Sequence, residues 1–195
     1  MGFAFKYYRS QERFTRVPPF LFLTPRLHKE CLLGVLEYVS LCILPVLQVK
    51  ALAAHPYGCR VVQRILEHCD EPQRFRILDE LMASPHVLDD LVRDQYGNYV
   101  VQHVIQYSRP ADRATVLARV KRDLFVFAQH KFASNVVEKC LQFGGAANRT
   151  AMVDELLSGE GGPQSQLMVL IRDQYANYVV QKVRDGLKEE KGLYN

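Results

Sequence analysis

The chain has 195 residues, 48% of them hydrophobic and 24% charged, an ordinary balance for a folded soluble protein with enough apolar mass for one buried core. Its formal net charge of +4 admits a polyanionic partner without demanding one. The five cysteines (Cys31, Cys42, Cys59, Cys69 and Cys140) are odd in number and contain no C-x-x-C, which argues against a disulfide framework or zinc ribbon and for a reducing, cytoplasmic setting.

In chain order, Lys6, Arg9, Glu12, Arg13 and Arg16 precede any apolar run, a poor match to a secretory signal. Residues 1–47 form an atypical segment in which Pro18-Pro19 and Phe20 to Leu23 suggest no repeat unit. The stretch Cys31 to Val49 is apolar, but Glu37 interrupts it and Pro45 follows. It falls short of the roughly 18 uninterrupted apolar residues that span a bilayer, so no membrane association is expected. Gln48 to Ala54 reads as a short entering helix. Helical spacing is then predicted over Gln73 to Met82, after Pro72, and over Asp112 to Val120, after Pro110; Thr150 to Leu157 shows the same spacing. Short apolar runs fall at Val87 to Val92, Leu124 to Ala128 and Leu167 to Ile171.

Between these elements the chain repeats itself four times without gaps. The segments are His55 to Arg64, Asp94 to His103, His130 to Lys139 and Asp173 to Lys182. Their aromatic residues, Tyr57, Tyr96, Phe132 and Tyr175, are 39, 36 and 43 residues apart, the longest interval holding an insertion at Ser158 to Pro163. A period of this size with helical units predicts an α-solenoid, each unit a short helix, a tight turn, a motif helix and a third helix. The paired valines Val61-Val62, Val100-Val101, Val136-Val137 and Val179-Val180 are poor helix formers, and only a stacked core makes sense of them. The valines and the four aromatics are therefore expected to be core.

Three polar positions per motif are left over. The first and third, four apart, are Cys59 and Gln63, Asn98 and Gln102, Ser134 and Glu138, and Asn177 and Gln181; they share one helix face. The second, Arg60, Tyr99, Asn135 or Tyr178, projects beside them. As N-caps, Asn98, Ser134 and Asn177 would want Glu or Gln three residues on, where Val101, Val137 and Val180 stand instead. The triplets suit base edges better. An acceptor-only carboxylate at Glu138, with Ser134, fits the N–H donors of guanine. The Gln63 amide, with Cys59 packing on the ring, fits adenine. Gln102 with Asn98, and Gln181 with Asn177, fit uracil. Arg60, Tyr99 and Tyr178 offer planes for stacking, and Asn135 a weaker one. Arg64, His103, Lys139 and Lys182 come next in each motif, as candidates for phosphate contacts or simply a solvated basic edge.

Other chemistries find little support. Cys59, His68 and Cys69 lack zinc-ligand spacing, so no metal is expected. No P-loop, G-x-S-x-G or H-E-x-x-H occurs, so no enzyme, cofactor or small-molecule substrate is expected either. A protein-interaction solenoid with a peptide groove shares the helical repeats, but it gives no reason to vary the paired polar positions by base chemistry.

The four motifs, from Cys59-Arg60-Val61-Val62-Gln63 to Asn177-Tyr178-Val179-Val180-Gln181, closely resemble the last four of the eight repeats of animal Pumilio proteins, over roughly Gln48 to Lys182. The resemblance implies an all-α, right-handed solenoid of three-helix repeats over residues 48–183. It implies single-stranded RNA on the concave face, one base per repeat in antiparallel order. The fourth repeat would read the 5′ U, the third G, the second U and the first A. It further implies messenger RNA 3′ untranslated regions as targets, repression of translation and messenger stability, and repressor and deadenylase partners on the convex face. The chain departs from the pattern over residues 1–47 and again over 184–195, where the closing helix of the fourth repeat and a terminal cap are not expected.

Overall fold

A computed structural model describes residues 49–157 and 165–190. The expectations for residues 1–47, for the insertion at Ser158 to Pro163 and for the last five residues lie outside the described residues. Every regular element among those described is a helix. The first unit comprises α1 (Val49–Ala53), α2 (Gly58–His68) and α3 (Glu71–Leu81). The second comprises α4 (Pro85–Arg93), α5 (Gly97–Tyr107) and α6 (Pro110–Arg122), and the third α7 (Leu124–Ala128), α8 (Ala133–Phe143) and α9 (Ala146–Leu157). The fourth has α10 (Gln166–Arg172) and α11 (Ala176–Glu190).

Local chemistry sets many of the boundaries. Asp70 caps α3 by accepting from the Gln73 N–H at 3.3 Å, with Pro72 in the first turn, so α3 starts at Glu71 rather than Gln73. Ser84 and Ser165 cap α4 and α10 in the same way, through Val87 and Met168. Helix α9 starts four residues before the predicted Thr150, directly after Gly145, whose φ of 81° suits glycine. Helix α11 runs 15 residues, where α2, α5 and α8 run 11 each, and passes through Val183, the end expected from the repeat pattern. Leu187, Lys188, Glu189 and Glu190 are all good helix formers and supply no stop signal.

The motif helices α2, α5, α8 and α11 pack side by side in sequence order, and the remaining helices cover their other side. The valine pairs form the shared core: Val62, Val100, Val136, Val137 and Val179 are wholly buried, and Val61 and Val101 nearly so. Burying a valine contributes about 1.5–3 kcal/mol, well above its helix-propensity cost of at most about 0.7 kcal/mol. The aromatics correct the core expectation. Tyr57 is 53% exposed and Phe132 and Tyr175 are only half-buried, while Tyr96, also half-buried, packs against the core. They stand at the helix entrance instead: Tyr57, Tyr96 and Phe132 are the N-cap residues of α2, α5 and α8.

Each motif helix then begins on a small residue because the preceding helix passes very close. A Cβ on Gly58 would lie 2.3 Å from the Leu52 carbonyl oxygen. At the other end, arginines from the third helices take up carbonyls that a helix terminus leaves open. Arg113 donates to Gln106 and Ser108 at 3.4 Å, and Arg149 Nε donates to Leu141 at 3.0 Å.

Candidate nucleic-acid interface

The turn before each motif helix fixes where the polar triplet points. In the second and fourth repeats one aspartate oxygen accepts from two successive backbone N–H groups. Asp94 Oδ1 takes those of Tyr96 at 2.8 Å and Gly97 at 2.7 Å, and Asp173 Oδ1 those of Tyr175 and Ala176, both at 2.8 Å. In the first and third repeats a histidine ring nitrogen does the same work. His55 Nδ1 accepts from Tyr57 and Gly58 at 3.2 Å, and His130 Nδ1 from Phe132 at 3.2 Å and Ala133 at 3.3 Å. The triplet reading missed this cap. Its signal was the alternation His, Asp, His, Asp at the first motif position, two chemically different acceptors of similar reach.

With the cap supplied there, the first triplet position sits inside the helix and is no N-cap. Its side chain turns back to the turn carbonyl in every repeat. Asn98 Nδ2 donates to Asp94 and Asn177 Nδ2 to Asp173, both at 2.8 Å; Cys59 Sγ and Ser134 Oγ donate to Pro56 and Lys131 at 3.5 Å. Burial pushes the Cys59 thiol up, which keeps it protonated. Asn98, Cys59 and Ser134 are buried, while Asn177 in the last repeat is half-buried.

The third position reports on the first. Asn98 Oδ1 accepts from Gln102 Nε2 at 2.9 Å, which orients that amide, and Asn177 Oδ1 accepts from Gln181 Nε2 at 3.5 Å. Gln63, facing Cys59 instead of Asn, has no hydrogen-bond partner for its Nε2 among the described residues. Glu138 is half-buried beside Ser134. Burial raises its carboxyl above the ordinary carboxylate value, and the positive charges of Lys182 and Lys139 oppose that rise only in part.

The second position is exposed in all four repeats, at 47% for Tyr99 and 60% for Tyr178. The Arg60 guanidinium lies 5.8 Å from the centroid of the Tyr99 ring, so planar groups of adjacent repeats already face each other. Between the second and third repeats a pocket of about 270 Å³ opens on this face. It is lined by Tyr99 and Gln102 from α5, by Asn135, Glu138 and Lys139 from α8, and by Lys182 from α11. A planar heterocycle has about that much room, and the lining supplies both a ring, at Tyr99, and hydrogen-bonding groups, at Gln102 and Glu138.

The expected phosphate set needs one correction. His103 is 7% exposed; its Nε2 lies 3.0 Å from Glu67 Oε1 on the preceding repeat, and its ring packs on Tyr107 at 4.7 Å. It joins two repeats and does not face solvent. Arg64 is exposed but paired with Glu67 at 2.5 Å. Lys139 Nζ lies 5.2 Å from the Phe143 ring, and Lys182 is exposed.

Fold and face together define an α-solenoid repeat protein that presents the same three-residue arrangement once per repeat. The chain belongs to the Pumilio family: the family's RNA-binding repeat matches residues 48–82, 89–120, 124–157 and 166–183. The family is one of RNA-binding repeat proteins and not of enzymes. Relatives include a Pumilio domain-containing protein of Schizosaccharomyces pombe, 34% identical over 134 residues, covering 69% of this chain and 18% of that protein. Pumilio homology domain family member 4 of Saccharomyces cerevisiae is 36% identical over 150 residues, covering 73% of this chain and 16% of that protein. Among solved structures, PUF-8 in complex with PBE-RNA superposes with a TM-score of 0.70 at 35% identity, over 85% of this chain and 50% of that one. The Puf3 RNA binding domain bound to a Cox17 RNA 3′ UTR recognition sequence gives 0.69 at 29% identity, over 85% and 49%. The chain thus spans under a fifth of these curated relatives and about half of each solved domain.

Proposed function

We propose that this chain binds single-stranded RNA sequence-specifically on the face formed by α2, α5, α8 and α11, and that it reads 5′-UGUA-3′. The fourth repeat takes the 5′ U through Asn177 and Gln181, and the third takes G through Ser134 and Glu138. The second takes U through Asn98 and Gln102, and the first takes A through Cys59 and Gln63. Arg60, Tyr99, Asn135 and Tyr178 stack between bases, and Arg64, Lys139 and Lys182 lie along the phosphate edge. The observation that carries this reading is the coupled variation on an otherwise constant frame. Asn holds Gln in the second and fourth repeats, Cys leaves Gln unheld in the first, and Ser accompanies a half-buried carboxylate in the third. Solved structures of similar proteins in complex with RNA support RNA as the ligand class.

The targets under this reading are messenger RNA 3′ untranslated regions in the cytoplasm. The outcome is repression of translation and of messenger stability, with repressor and deadenylase partners on the opposite, convex side. Fluorescence anisotropy with a short UGUA RNA, and with four versions each changed at one of these bases, tests the base assignment. Each change is expected to cost about 1–3 kcal/mol. Equal affinity for all five RNAs overturns it.

A further inference from the structure

We propose that Glu67 is a positioning residue for RNA: its hydrogen bond to His103 fixes α2 against α5 and so holds Arg60 and Tyr99 at a spacing from which they admit a base. The inference rests on the stacking role given above to Arg60 and Tyr99, and it adds a residue that itself touches no base.

Two side-chain stripes carry it. On α2, Arg60, Arg64 and Glu67 follow at i, i+4 and i+7; on α5, Tyr99 and His103 follow at i and i+4. The stripes meet twice. Near the helix starts, the Arg60 guanidinium lies 5.8 Å from the Tyr99 ring centroid. Within about two turns of that pair, Glu67 Oε1 lies 3.0 Å from His103 Nε2. A carboxylate only accepts, so the ring nitrogen is the donor. Both ends of this bond are stiffened. The other carboxylate oxygen takes Arg64 Nη1 at 2.5 Å on its own helix, and His68 Nε2 stands 3.5 Å from it. The His103 ring is buried and packs on Tyr107 at 4.7 Å. The two helices thus share a fixed point about which they can pivot, and the planes stand close to the width a base needs before RNA arrives. Presetting a contact in this way raises affinity by lowering the ordering cost of binding. At the next two boundaries the corresponding residues are Gln106 with Lys139 and Gln142 with Lys182. Neither pair combines a carboxylate with a rigid ring, and Lys139 lies over Phe143 of its own helix.

Two conservative variants separate reach from charge. Glu67→Asp keeps the charge but is shorter by one methylene, so its carboxylate falls short of His103. Glu67→Gln keeps the reach and an acceptor for His103 but loses the charge that pairs with Arg64. Both are compared with wild type by anisotropy at fixed salt, on UGUA RNA and on versions lacking the base at the first, third or fourth nucleotide. The base between Arg60 and Tyr99 is the third or the fourth. Glu67→Asp is expected to bind UGUA about two- to five-fold more weakly, the lower part of what one hydrogen bond contributes. That loss should persist when the first base is missing and vanish on whichever of the other two RNAs leaves the slot empty. Any change in Glu67→Gln should be the same on all four RNAs, as for a charge acting on the phosphate backbone. A Glu67→Asp loss that is equal on all four RNAs, or absent, overturns the inference, as does the same base-dependent loss in Glu67→Gln. If wild type binds UGUA and the RNAs lacking the third or fourth base alike, no base stacks between Arg60 and Tyr99, and the functional reading is overturned along with the inference.

Discussion

Glu67 Oε1 and His103 Nε2 lie 3.0 Å apart across the boundary between the first two repeats. Burial lowers the His103 imidazole below its ordinary value, with Glu67 offsetting part of the shift. Burial works to raise Glu67, but hydrogen bonds from His103 and Arg64 outweigh it and hold that carboxyl low. Both shifts have the same consequence in acid. The unfolded chain takes up a proton on His103 before the folded one does. Stability is therefore full above about pH 6.5 and falls as pH drops from there toward the lowered value. Glu67 adds a second loss below about pH 4.5, as pH falls through its depressed value. His103→Gln keeps a donor for Glu67, and it should flatten the first step in melting temperature followed by circular dichroism. The same variant should leave the salt dependence of RNA binding unchanged; a slope reduced by about 0.7 would return His103 to the phosphate edge.

The His130 turn makes a second pH-dependent prediction. Its Nδ1 can accept from Phe132 and Ala133 only while unprotonated. Burial first, and the Arg93 charge second, lower this imidazole, so the contribution is complete above about pH 6.5 and declines as pH falls below it. His130→Asp copies the arrangement found at Asp94 and Asp173. It should preserve stability at about pH 7 in urea denaturation and remove this component of the acid sensitivity. His130→Ala should cost about 1 kcal/mol at the same pH. Equal stability of the alanine variant would show that the ring nitrogen contributes nothing to the turn.

Stacking on the face has a geometric demand. A base between two planes needs about 7 Å, twice the stacking interval, while Arg60 and Tyr99 stand 5.8 Å apart. The pair must open slightly to admit one. Tyr99→Ala should cost about 1–3 kcal/mol on any RNA that binds, with base preference retained. Asn135→Ala should cost less, its amide being the smaller plane. A change of preference in Tyr99→Ala would mean that the ring reads an edge as well as a face.

Much of the interface is legible in the sequence because repetition exposes it. Asn98 and Asn177, or Val61 and Val179, align at a fixed offset within their motifs, and the polar residues that a core cannot use stand out against it. The same logic fails wherever chemistry is shared by different residue types. His130 and Asp173 place the same kind of acceptor at a turn, yet nothing in their composition says so. It fails also where burial depends on a distant partner. His103 reads as one more basic residue after Gln102, and only Glu67, far back in the chain, takes it out of solvent. Tyr57 shows the converse, since an aromatic at a repeated position does not reveal how deep it lies. The start of α9 escapes because Ala146 to Arg149 carries no apolar period, and the end of α11 because the helix runs on through Gly186, a residue that more often marks a helix end.

The central claim is that paired side chains at the first and third positions choose the base. Exchanging one pair for another is its most direct test. Ser134→Asn with Glu138→Gln gives the third repeat the pair found in the second and fourth. Anisotropy at fixed salt on UGUA and UUUA RNAs should show wild type preferring the first and the double variant the second, each by about 1–3 kcal/mol. If both proteins are folded by circular dichroism and bind the two RNAs alike, the pairs do not choose the base and the account is wrong.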